Sequence, residues 1–86
     1  MSATMPIRVR VHDAWEEVGL DLDAGTRLSD VKRRALAGAR RVGDPDAYEI
    51  KFRGAPILDE STSLEGAGVV RNAELIVLPR RRQAVR

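Results

Sequence analysis

The segment Glu74-Leu75-Ile76-Val77-Leu78-Pro79 constrains the fold most. Four consecutive apolar residues, stopped by Pro79 and then three arginines, are too few for a globular helix and suit a strand covered on at least one face. Just upstream, Val70-Arg71-Asn72-Ala73 is polar enough to turn, and Asn72 tolerates a left-handed backbone. Before that turn, Leu64 and Val69 sit in a Gly-punctuated segment too short for a full helix. The stretch reads as a late loop pinned by two apolar residues that delivers a closing strand. If that strand lies mid-sheet, the earlier elements must arrange themselves around it.

Those earlier elements are legible in order. Ile7, Val9 and Val11 alternate with Arg8, Arg10 and His12, and Val18, Leu20 and Leu22 alternate with Glu17, Gly19 and Asp21. Period two with one charged face predicts two amphipathic strands, close enough to form an antiparallel hairpin. The hairpin's arginines and acids then share its outer face, where cross-strand pairs are worth a few tenths of a kcal/mol each, ~1 at most. Asp23-Ala24-Gly25 turns the chain, and Thr26 is the expected helix N-cap, with Ser29 and Asp30 in the first turn. Leu28, Val31, Ala35, Ala39 and Val42 fall on one helical stripe with Leu36 at its border; Lys32, Arg33, Arg34, Arg40 and Arg41 fall mostly elsewhere. Gly38 or Gly43 is expected to end the helix, and Asp44-Pro45-Asp46 forbids its continuation. Tyr48, Ile50 and Phe52 make a third strand, Gly54-Ala55-Pro56 a turn, and Ile57-Leu58 a short further strand. The expected class is α+β: one four- to five-stranded mixed sheet with a single helix packed across it, in ββαββ order.

Composition limits what such a domain can do. Eighty-six residues make one domain, expected as a disordered N-terminus over 1–4, a folded body over 5–79 and a flexible basic tail over 80–86. The absence of cysteine removes disulfides and thiolate metal sites and fits an intracellular, cytoplasmic chain. Met1 to Pro6 lacks the apolar stretch of a signal peptide, and no apolar run approaches the ~20 residues of a membrane span. The net charge of +2 is uneven: four of the fifteen Lys and Arg residues fall after Pro79, leaving eleven against thirteen acids in the body.

The ordered set of residues resembles ubiquitin. Met5-Pro6-Ile7-Arg8-Val9 is similar to the ubiquitin start, and Leu28-x-x-Val31-Lys32 to the first helical turns of ubiquitin-like domains. Phe52-Arg53-Gly54 with Ile57, Thr62-x-Leu64 with Val69, and Asn72-x-x-Leu75-x-Val77 follow in matching order over residues 5 to 82, with one-residue insertions near Asp13 and Ser61. The resemblance implies a β-grasp fold. Leu64-x-x-Ala67-Gly68-Val69 before a polar turn and a final strand is also similar to bacterial ubiquitin-like proteins of the YukD/EsaB kind, non-conjugated accessories of specialised secretion systems. Conjugated ubiquitin-like proteins and the sulfur carriers ThiS and MoaD end in Gly-Gly; here Gln83-Ala84 stands in that place. On resemblance, the chain is expected to be neither a conventional modifier nor a sulfur donor.

The resemblance also locates a surface. Lys51 stands where ubiquitin has its central patch isoleucine, and Ile76 and Leu78 match its two patch positions on the last strand. Alternation with Leu75 and Val77 places Ile76 and Leu78 on the open face of the sheet, with Arg8, Arg10, Lys51 and Arg53 as a basic rim. A receptor built for the usual patch would meet a charge at Lys51 that it cannot desolvate cheaply. Trp15, beside the hairpin loop, is either an exposed anchor for a partner or a lid folded over the sheet edge.

No enzyme chemistry stands out. His12 has no nucleophile or second base in the pattern, Thr26 and Ser29 suit capping, and Glu16, Glu17 and Asp21 lack the compactness of a metal site. No cofactor is implied. Arg80, Arg81, Arg82 and Arg86 could grip nucleic acid or an acidic protein, or be a solvated end. The near-balanced body and the lack of aromatics on the open face weigh against nucleic acid. The expectation is a non-enzymatic protein-docking module, with self-association through the same apolar face as a further possibility and a modifier with a non-standard tail or a nucleic-acid accessory as rivals.

Overall fold

The structure, a computed structural model, describes residues 4–40 and 44–80. Residues 1–3, 41–43 and 81–86 lie outside it, and with them the expectations placed on Met1–Ala3, Arg41, Val42, Gly43, Arg81, Arg82 and Arg86. Strand β1 (Thr4–Val11) and β2 (Glu16–Asp23) are joined by a 3-10 turn at His12–Ala14; helix α1 (Leu28–Gly38) follows, then β3 (Tyr48–Phe52), β4 (Ala55–Pro56) and β5 (Glu74–Pro79). The sheet order is β2-β1-β5-β3-β4. The closing strand lies in the middle, parallel to β1 and antiparallel to β3.

Alternation decides the faces. Met5, Ile7, Val9 and Val11 of β1, Leu22 of β2, Ile50 of β3, and Leu75 and Val77 of β5 are buried on one side of the sheet. Helix α1 covers that side with Leu28, Val31, Ala35 and Leu36, followed by Ala39. Burying each of the Val, Leu, Ile and Met side chains is worth ~1.5–3 kcal/mol, which makes this layer the main source of stability. Leu64 and Val69 close one end of the core from the late loop, as expected. Asn72 takes its left-handed conformation at φ 65°, and its N–H donates to the Pro6 carbonyl at 2.7 Å, fixing β5 beside β1.

Three details depart from the expectations. Thr26 does not cap the helix: the N-cap is Arg27, without a side-chain cap bond. The exposed helical N–H groups are satisfied instead by carbonyls of the 60–62 loop, Leu28 to Thr62 and Ser29 to Glu60, each at 2.9 Å. A distant backbone segment does the work expected of a local hydroxyl. The short strand is Ala55–Pro56, not Ile57–Leu58. Arg53 and Gly54 both stand at positive φ, 57° and 81°, forming the tight two-residue hairpin turn that brings Ala55 back opposite Phe52. Ile57 still joins the ladder through its N–H to the Ile50 carbonyl, whereas Leu58 is 88% exposed.

The third departure is Lys32. It lies among the core residues at 1% exposure rather than on the solvated side of the helix. Its ammonium donates to the Tyr48 carbonyl at 3.0 Å and meets Glu60 at 2.7 Å. Buried charge is tolerated only when paired and hydrogen-bonded, and both conditions hold.

Candidate functional site

Register places the open face residue by residue. Ile76 of β5 stands between Arg10 of β1 and Lys51 of β3, and Leu78 stands opposite Glu49. Both apolar side chains are half-buried, on the side of the sheet opposite α1. Arg8 pairs in register with Gly19 and Glu74, and Lys51 with Pro56. The structure thus brings Ile76, Leu78, Arg8, Arg10 and Lys51 onto one face.

The rim differs from the basic one expected. Glu74 and Glu49 share the face, and the Arg10 guanidinium meets Glu74 at 3.3 Å. Arg10 faces Glu17 in the hairpin register, yet its ion-pair partner sits on the other neighbouring strand. Both members of that pair are about half exposed, so water screens most of its strength. The apolar pair is therefore framed by mixed charge rather than by cations alone. Arg53 leaves this row: from its turn, its guanidinium lies over the Phe52 ring, 5.3 Å from the centroid.

Trp15 is open to solvent at 83% exposure and is not folded over the sheet edge. It terminates the 3-10 turn with φ 54°, donates its N–H to the His12 carbonyl, and holds its ring 5.6 Å from the His12 imidazole. A cleft of about 270 Å³ beside it is lined by Arg10, His12, Trp15, Glu16 and Glu17. Among the described residues, no group of three His, Cys, Asp or Glu side chains stands ready to hold a metal ion. No helix among them is long and apolar enough to cross a membrane.

Arg80, read with the tail, is held by the body. Its N–H donates to Ala47 at 2.8 Å, its Nε to the Asp46 carbonyl at 2.7 Å, and its guanidinium lies 3.6 Å from the second oxygen of Glu60. Glu60 thus joins the helix, through Lys32, to the end of the last strand. Sequence reasoning passed over this carboxylate because it stands in a polar loop between Asp59 and Ser61. The one available signal was a lysine immediately after Val31 on the apolar stripe.

No protein-family model matches the sequence, and no curated protein does. Solved structures match across nearly the whole chain. Ubiquitin from Caldiarchaeum subterraneum gives a TM-score of 0.78 at 16% identity, covering 95% of this chain and 100% of that one. The fold is the ubiquitin-like β-grasp. The ubiquitin-like domain of an Arabidopsis thaliana protein gives 0.74 at 12% identity, covering 98% and 85%. A chain from a structure described as molecular mimicry of SUMO promoting DNA repair gives 0.77 at 12%, covering 90% and 92%. At these identities the likeness to other β-grasp chains is one of fold.

Proposed function

We propose that this chain is a non-enzymatic ubiquitin-like interaction module, cytoplasmic and serving a larger assembly, that docks through the open sheet face. The observation that carries the reading is the apolar pair Ile76 and Leu78, half-exposed at the middle of the sheet face opposite α1, which no helix covers among the described residues. Apolar burial at the centre supplies affinity, while Arg8, Arg10, Lys51 and their acidic neighbours set orientation and on-rate. The resemblance of the Leu64–Val69 segment to YukD/EsaB-type proteins supports an accessory role in a bacterial secretion system.

The test is affinity capture with the whole chain against Ile76→Asp/Leu78→Asp, from extracts of the source cell. A milder Ile76→Ser/Leu78→Ser chain guards against unfolding, with circular dichroism as the check. A partner retained by the parent and lost from both folded variants supports the reading. Equal retention by a folded variant places the surface elsewhere.

A further inference from the structure

We propose that the cleft at the β1–β2 turn receives an arginine side chain from a basic peptide segment of a partner protein. The loop is built to show its indole rather than hide it. Trp15 is the only tryptophan, it is 83% exposed, and it sits in a left-handed conformation that bulky side chains rarely adopt. The 3-10 turn before it and β2 directly after it hold it there.

The charges around the cleft are unbalanced in one direction. Arg10 is the cation of the lining, and its charge is met by Glu74. Glu16 and Glu17 line the same cleft and have no ion-pair partner among the described residues. An exposed aromatic face beside two uncompensated carboxylates attracts a cation. A metal ion is a poor match, since no three-ligand group is present there among the described residues. A guanidinium fits better: its plane stacks on an indole while its N–H fork reaches carboxylates. The concavity of about 270 Å³ has room for one such side chain.

The inference rests on the docking reading and shares Arg10 with it, but it turns on Trp15, Glu16 and Glu17 rather than on Ile76 and Leu78, so the two can fail separately. Trp15 is its own probe: its fluorescence is followed while the peptide acetyl-Gly-Arg-Gly-Arg-Gly-amide is titrated into the full chain at low salt. A saturable change is expected, with none for the peptide carrying Glu in place of Arg. The Glu16→Gln/Glu17→Gln chain should bind the arginine peptide about tenfold more weakly. Trp15→Leu, followed by the NMR shifts of the Glu16 and Glu17 amides, should lose most of the binding. Ile76→Asp/Leu78→Asp should bind the peptide as the parent does, even where capture of a whole partner is lost. No saturable change, an equal response to the acidic peptide, or unchanged affinity in the glutamine variant would overturn the proposal.

Discussion

Lys32 and Glu60 show how much one pair of residues can decide. An ammonium at 1% exposure is stable there only while its carboxylate and the Tyr48 carbonyl remain. Glu60→Ala is expected to cost about 3 kcal/mol, because it leaves a buried charge unpaired. A Lys32→Met/Glu60→Leu chain should recover about half or more of that loss. Urea midpoints of the three chains decide it, and an unaltered midpoint for Glu60→Ala would mean that water reaches the ammonium. A second residue effect concerns Asp59. Its carboxyl accepts from the Ser61 hydroxyl at 2.5 Å and from the Ser61 N–H, and these bonds hold it below its ordinary value of 3.8. A depressed carboxylate contributes stability present in full above ~pH 4 and lost as the pH falls through its folded value. Urea unfolding from pH 6 downward should therefore show the stability gap between parent and Asp59→Asn narrowing below ~pH 4. The Lys32 pairing could not be foreseen from local pattern, since its partner lies twenty-eight positions further along the chain, whereas the Asp59 effect is a local one, with Ser61 two residues away.

At the scale of elements, the helix end corrects a plausible inference. Gly38 was expected as a terminator. It is the last helical residue, but a Cβ there would come within 2.8 Å of Val18 Cγ1, so its smallness serves the contact between α1 and β2. The residue that adopts the left-handed turn after the helix is Arg40, at φ 59°. Gly38→Ala should destabilise by ~1 kcal/mol despite alanine's better helix propensity, because Val18 is branched at Cβ and yields poorly. Arg40→Gly should stabilise by ~0.5–1 kcal/mol, as glycine is the favoured residue at that position. Thermal melts of both chains test the pair, and reversed signs would refute the assignment. The strands themselves were readable because period two survives in β1, β2 and β3 whatever they pair with. The placement of β4 was not, since it follows from two consecutive positive-φ residues, Arg53 and Gly54, and only the second advertises itself in sequence.

For the whole molecule, sheet order ranks local stability. Interior strands β1 and β5 bury Val9, Val11, Leu75 and Val77 completely, while β4 contributes two exposed residues at the edge. Amide exchange should be slowest at Val9, Val11, Leu75 and Val77, reporting global unfolding, and faster by several orders of magnitude around Ala55. Comparable rates at the two places would show that the edge opens only with the rest. The open face was partly readable: alternation split the apolar run into two pairs, and the resemblance to ubiquitin chose Ile76 and Leu78 as the outward one. The acids interleaved with its arginines became visible only once β5 was registered against β1 and β3. The parallel contact of β1 with β5 has a mechanical consequence. Tension applied at the start of β1 and the end of β5 pulls the two along each other, so their rungs must break together rather than one by one. The same globule that opens readily at its β4 margin would resist being drawn out lengthwise.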